Sequence, residues 1–256
     1  MKLCAIFNVW ADWDLLDHAV KNIDDLVDGI IVVGSSKSNY GEYFPIPEHW
    51  RGNIILREPA HPMAVHSETD KRNFGLNIAR KAGYTHFLTM DADEFYDPEE
   101  FKRAKQRFLD EPNLKGLVCP LNCYFASPEL TIGRDTTLVP FIHELTPTIQ
   151  HEFNRKYPFA WIDGKIRIDP TRSLNITSGV EYTEEVTMHH YSWVRKDYEI
   201  KIRNSTARAN LERSTIRQDL MSAKEGEMCK FYGKRLVRVP NRFNIPEYGE
   251  LLRQDL

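Results

Sequence analysis

KRNFGLNIARKAGYTHFLTMDADEFYDPEE, residues 71–100, is the stretch whose reading decides the fold. It reads as a helix stopped by Gly83, then a short apolar run THFLTM at 85–90, then Asp91, Asp93 and Glu94 at the run's far end. In an extended chain residues i and i+2 share a face, which predicts Asp91 and Asp93 side by side with Ala92 turned back. Two such carboxylates repel unless a cation or hydrogen-bond donors sit between them. A hard divalent ion that also meets phosphate oxygens is the usual resolution. Asp97 followed by Pro98, Glu99 and Glu100 reads differently, as the cap and first turn of the next helix.

The flanks follow the same alternation. Residues 3–9 (LCAIFNV) and 29–34 (GIIVVG) are uniformly apolar runs of strand length, and a third strand begins at 53–56. Between the first two, Leu15, Leu16, Ala19, Val20, Ile23 and Leu26 recur at helical spacing, with Asp12 placed to cap them. A loop holding Pro59, His61, Pro62 and His66 leads to a helix at about 70–82. Alternating elements with evenly apolar strands imply a mostly parallel sheet covered by helices on both faces. Past Pro112 the pattern changes: strands are expected at 116–121, 136–142, 165–168 and 187–194, helix near 197–222, and a last strand in KRLVRVP at 234–240.

Composition bounds the class. The 256 residues suffice for one large domain, and 41% apolar with 28% charged residues is ordinary for a globular protein. No apolar run reaches the roughly 20 residues that span a bilayer. Residues 1–14 (MKLCAIFNVWADWD) reach acids too early for a signal peptide. Cys4, Cys119, Cys123 and Cys229 lack paired metal spacing, so free thiols and a cytoplasmic location are expected. Charge is uneven: residues 1–100 carry 9 basic and 17 acidic side chains, residues 195–256 carry 14 and 9. An anionic partner for the basic tail and an Arg-rich solvated face are both open on that evidence.

Arg72-Asn73-x-Gly75 on a helix, followed by an apolar strand ending Asp91-Ala92-Asp93-Glu94, resembles the GT-A glycosyltransferases of the family 2-like group. AIFNVWADWDLLDHAVKNI at 5–23 resembles their opening strand and helix, and MHHYSWVRKD at 188–197 their late His-Tyr-Ser block. The resemblance covers 1–100 well and 185–200 moderately. It implies a GT-A nucleotide-diphospho-sugar transferase fold: a nucleotide-sugar-binding half at 1–110, an acceptor-side half of the same domain at 111–194, and a basic C-terminal extension of helix and strand at 195–256. The implied activity is metal-dependent, inverting transfer of a sugar from a nucleoside diphosphate sugar, UDP-linked by the same implication, to an acceptor hydroxyl. A divalent ion, Mn2+ or Mg2+, neutralises charge developing on the leaving diphosphate.

Carried over residue by residue, Asp93 would ligate the ion, Asp91 would contact ribose or ion, and Glu94 would support them. His190 is the expected imidazole ligand, with His189 as the other choice, since consecutive strand residues face opposite ways. Asn8, Trp10, Asp12, Ser35, Lys71, Arg72 and Ala92 fall where such enzymes hold the nucleotide. Lys71 and Arg72 open the helix in this reading, and Arg72 either grips a diphosphate or partners Asp91. Serines 35, 36 and 38 stand where the family often carries an acid for the base, which leaves the base open. Asp163 in FAWIDGK is the candidate catalytic base, with Glu144 and Asp169 as rivals. Trp161, Arg195 and Arg203 are candidate acceptor contacts, the acceptor being phage-type hydroxymethylated DNA or a phosphorylated saccharide. Two other classes stay open: a sugar nucleotidyltransferase or pyrophosphatase, disfavoured because NVWADWD replaces a Gly-rich basic loop, and a non-catalytic nucleotide-sugar-binding module. No GxGxxG or GxxxxGK[ST] occurs.

Overall fold

A computed structural model of the chain describes residues 1–153, 167–169 and 171–248. Two compact units emerge: residues 1–121 with 136–188, and residues 122–135 with 189–256. The segment 122–135 groups with the tail.

The first unit is α/β. Strands β1 (Leu3–Val9), β2 (Gly29–Gly34), β3 (Ile55–Leu56) and β4 (His86–Asp91) stand in the order β3-β2-β1-β4. All of their pairings are parallel, with Asn8 in register with both Val33 and Asp91. Residues 3–7 of β1 are at most 2% exposed without alternation, so both faces of the strand are covered. This is the mostly parallel, helix-covered sheet that the sequence pattern and the resemblance both implied. Strand β5 (Glu94–Tyr96) follows β4 almost at once, and β6 (Gly116–Phe125) and β7 (Ser127–Glu144) come next. Strand β7 runs antiparallel to β4, pairing Glu144 with His86 and Ile142 with Leu88. It is much longer than the expected 136–142.

Helix α1 (Trp13–Ile23) buries Leu15, Leu16, Ala19 and Ile23, and a 3-10 turn continues it to Leu26. The Asp12 carboxylate does not cap it; the Asp12 carbonyl accepts from the Leu15 and Leu16 amides instead. Helix α3 (Pro98–Asp110) is capped as expected, the Asp97 carboxylate accepting from the Glu99 and Glu100 amides. Helix α2 (Ala64–Lys81) starts well before the expected 70. Its N-cap position, Met63, makes no side-chain capping bond and its first turn holds no acid but a lone pair of apolar residues, so the sequence carries no start signal there. Gly83 ends it in the left-handed region at φ 75°.

One face of α2 packs Leu76 and Ala79 onto Cys4, Ile6, Ile31, Val33 and Phe87. Gly75 lies at the closest approach: a Cβ there would stand 2.5 Å from Ile6 Cγ2. Gly75→Ala gains about 1 kcal/mol of helix propensity but overpacks the helix–strand seam at a cost of about 1–3 kcal/mol. Packing wins, so urea melts should show a net loss of about 1 kcal/mol, and a stabilised variant would refute the tight seam.

The second unit joins 122–135 to β10 (Met188–Trp193, from His189 onward), reached after the short strands β8 (Arg167–Ile168) and β9 (Val180–Tyr182) of the first unit. Instead of the one expected helical region, three short helices follow, α4 (Tyr198–Asn204), α5 (Arg208–Glu212) and α6 (Ile216–Met221). Then come β11 (Met228–Cys229), β12 (Lys234–Arg235) and β13 (Val237–Arg238), the last pairing antiparallel with Leu130 and Thr131 of β7. Tyr124 stacks on Tyr191 at 4.0 Å in its core. All four cysteines are buried free thiols. Among the described residues no helix is long and apolar enough to cross a membrane.

Candidate donor site at the sheet edge

The carboxyl ends of β1, β2 and β4 bring Asn8, Ser35 and Asp91 to one edge of the first unit, and α2 lays Lys71 and Arg72 beneath it. Each position of the Arg72-Asn73-x-Gly75 motif has a visible task. Arg72, 2% exposed, donates from Nη2 to Glu68 Oε1 at 2.8 Å and to Asp91 Oδ2 at 3.3 Å. Asn73 clamps the His151 backbone, accepting from its amide at 2.7 Å and donating to its carbonyl at 3.0 Å. Gly75 permits the close seam described above.

The acidic end of β4 departs from the extended geometry expected for it. Strand β4 stops at Asp91, Ala92 and Asp93 form a turn, and Glu94 opens β5. The Glu94 carboxylate accepts from the Asp91 amide at 2.9 Å and closes that turn, so the argument that Asp91 and Asp93 share a strand face does not apply. Asp93 and Glu94 are 1% and 0% exposed. Arg172, 2% exposed, is a cation already resident beside Asp91 and Glu94. Its Nη2 meets Asp91 Oδ2 at 2.6 Å and Glu94 Oε1, its Nη1 donates to Glu94 Oε2 at 2.9 Å, and its Nε lies 3.4 Å from Asp169.

These contacts set the charges. Burial disfavours the Asp91 carboxylate, but the Arg172 and Arg72 guanidiniums outweigh it and hold the carboxyl down at about 2. Burial likewise opposes the Arg172 charge, and Asp91, Glu94 and Asp169 overcome it. Lys71 lies buried with Nζ 3.2 Å from the Val9 carbonyl and 3.1 Å from Ser35 Oγ; burial pushes its ammonium down to about 8 despite Glu68. His151 touches Thr89 and the Arg172 carbonyl through its ring nitrogens, and burial with Arg72 close by keeps it neutral.

The other predicted residues fall as follows. Lys71 and Arg72 do not open α2, which begins at Ala64, so no helix N-terminus stands there to grip a diphosphate. Trp10 packs edge-on to Phe44 at 6.2 Å, and among the described residues neither its buried indole N–H nor Asn8 Oδ1 has a hydrogen-bond partner. Ala11, between Trp10 and Asp12, adopts φ 63°, a left-handed value that costs a non-glycine residue about 1 kcal/mol or more. Ala92 is buried. Although Ser35–Ser38 offer no acid, Glu58 reaches them from beyond β3, accepting from the Ser36 amide and hydroxyl, both at 2.8 Å. Glu144 pairs with His86 at the opposite end of β4 from Asp91, roughly 15 Å away along the strand. There it lines a cavity of about 230 Å³ with Lys115 and Thr146, apart from the acidic turn. Asp163 and Trp161 lie outside the described residues. Asp169 is bound to Thr171 and Arg172.

In the second unit His189 is 5% exposed, with Nδ1 2.9 Å from the Tyr124 hydroxyl, while His190 is half-buried. Arg195 is buried and donates to the Ser192 carbonyl, whereas Arg203 is exposed. Several tail cations are spent internally: Arg217 makes a two-pronged pair with Glu199 at 2.7 and 2.9 Å, Arg208 pairs with Glu212, and Arg238 with Glu129 and Glu225.

Glu68, His151, Thr171 and Arg172 were not anticipated. Glu68 pairs with Arg72 one turn away on α2, a spacing that counts only because the helix starts at Ala64 rather than at about 70. The other three come from segments with no periodic pattern.

The residues present fit a divalent ion: the acidic turn offers carboxylate oxygens, and Asp91 Oδ1, 3.2 Å from Arg72 Nη2, accepts no hydrogen bond among the described residues.

No family model and no curated protein matches the chain. Among solved structures it is similar to S. aureus TarS 1-349, with a TM-score of 0.43 and 15% identity over 75% of this chain and 61% of that one. The same TarS fragment in complex with UDP-GlcNAc gives a TM-score of 0.39 and 15% identity over 72% and 59%. Glucosyl-3-phosphoglycerate synthase from Mycobacterium tuberculosis, in complex with Mg2+ and UDP, gives 0.31 and 12% identity over 47% and 43%. The chain thus spans about three-fifths of the TarS fragment's length.

Proposed function

We propose that this chain is a metal-dependent glycosyltransferase that takes a sugar from a UDP-sugar, with inversion, and passes it to an acceptor hydroxyl. The observation that carries the reading is the gathering of Asn8, Ser35, Lys71, Arg72 and the acidic turn at the carboxyl ends of adjacent parallel strands, where α/β sheets take their ligands. Asp93 is the proposed acidic ligand of the ion. When bound, a manganese or magnesium ion supplies charge neutralisation to the leaving diphosphate. Asp91, held by two arginines, keeps its charge and its oxygens in one place, and Lys71 adds a cation beside Ser35. Asp163 remains the proposed base. The acceptor proposed is a phosphorylated saccharide or hydroxymethylated DNA, although Arg208, Arg217 and Arg238 are paired internally.

A thermal-shift screen of nucleoside diphosphates and their sugars, with and without manganese, tests the reading, since a ligand of the native state raises its melting point. UDP and a UDP-sugar should do so only with metal. A flat screen would refute donor binding, and binding of every donor without turnover of any would favour the non-catalytic module.

Lys71 adds a pH signature. Its ammonium, lowered to about 8 by burial, is charged below that value and neutral above it. UDP affinity with magnesium should therefore fall as pH rises through about 8, and Lys71→Met should flatten the profile. Fold stability should move the other way: between pH 8 and the ordinary value of 10.5 only the unfolded state holds the proton, so stability rises with pH. An affinity independent of pH would remove Lys71 from the donor contacts.

A further inference from the structure

Three carboxylates converge on one guanidinium at the acidic turn. Asp91 Oδ2 is 2.6 Å from Arg172 Nη2, Glu94 takes both Nη1 and Nη2, and Asp169 Oδ2 is 3.4 Å from Nε. Arg172 is 2% and Glu94 0% exposed, so neither charge has water to fall back on. Glu94 in turn accepts from the Asp91 amide, the bond that closes the turn around Ala92 and Asp93.

Arg172 is itself held. Its carbonyl meets His151 Nδ1 at 3.2 Å, and the His151 backbone is clamped by Asn73. The preceding Thr171 hydroxyl lies 2.9 Å from Glu68 Oε1 and 2.8 Å from Asp169 Oδ1. Glu68 also takes Arg72, the second cation on Asp91. Thr171 and Arg172 are thus tied to α2 on one side and to the turn on the other.

We propose that Arg172 is a positioning residue: the resident cation of the acidic turn, which fixes Asp91 and Glu94 and so presents Asp93 in a set direction before any metal or nucleotide arrives. The presentation of Asp93 to a donor rests on the function proposed above; the fixing of the turn does not. A planar fork can meet three carboxylates at once, whereas a lysine ammonium is a single point of charge. Arg172→Lys therefore keeps the charge, and with it the fold, but loses the shared geometry.

The test compares wild type with Arg172→Lys, and with Arg172→Ala in the presence and absence of millimolar guanidinium. Amide hydrogen exchange at Asp91 reads the turn without any ligand, and calorimetry of UDP with manganese reads its use. Exchange at Asp91 should quicken at least tenfold in Arg172→Lys while β1 and β2 stay protected, and UDP affinity should fall at least tenfold. Guanidinium should restore both in Arg172→Ala. Unchanged exchange in a folded Arg172→Lys protein overturns the proposal outright. Faster exchange with undiminished UDP affinity keeps the fixing of the turn and overturns its bearing on Asp93. Faster exchange in a protein whose wild type binds no nucleotide sustains the positioning role and sinks the donor reading instead.

Discussion

Asp93→Asn is expected to weaken manganese-dependent UDP binding by at least a hundredfold, about 3 kcal/mol. The substitution keeps size and one oxygen and removes the charge, which is what separates a ligand for a hard divalent ion from a neutral amide. The turn that carries Asp93 is closed by the Glu94 carboxylate on the Asp91 amide and held by Arg172. Those contacts survive the change, so the melting point of the unliganded protein should move by only a few degrees while the metal-dependent shift with UDP disappears. Undiminished titration of UDP into the manganese-loaded variant would show that Asp93 does not ligate the ion. A loss matched by equal loss of metal-free UDP binding would place Asp93 among the nucleotide contacts instead.

How much of this was legible beforehand depended on range along the chain. Strands β1, β2 and β4 and the α3 cap announce themselves because burial on both faces makes a strand uniformly apolar, and because Asp97-Pro98-Glu99-Glu100 acts within one turn. Arg72 was placed near Asp91 for a sound reason: a helix with a Gly packing surface leads straight into the strand that Asp91 ends. The error at the turn came from extending β4 two residues too far. Nothing in Asp91-Ala92-Asp93-Glu94 says that Glu94 folds back onto the Asp91 amide, because that preference is set by Arg172, roughly eighty residues on. The same holds for His151 and Asn73: an asparagine in a helix reads as surface until the backbone it clamps is known. In the basic tail a count of cations could not show that Arg217 stands against Glu199.

Arg72→Met is expected to destabilise the first unit by about 3–5 kcal/mol, because it strips a buried cation from Glu68 and Asp91 and leaves their charges under-compensated. A methionine fills most of the volume, so the cost is chiefly electrostatic rather than a cavity. That origin has a pH signature. In wild type the Asp91 carboxyl, held at about 2 against its ordinary 3.8, contributes stability that is fully present above pH 4 and lost as pH falls towards 2, because only the unfolded state takes up the proton in that window. Without Arg72 the carboxyl rises, though Arg172 still holds it in part, and this acid-labile share shrinks. The stability gap between variant and wild type should therefore narrow by about 1 kcal/mol between pH 4 and pH 2. Denaturant melts at intervals through that range measure it. A large gap that stays constant with pH would mean that Arg72 matters as packing alone, and that Asp91 owes its charge to Arg172.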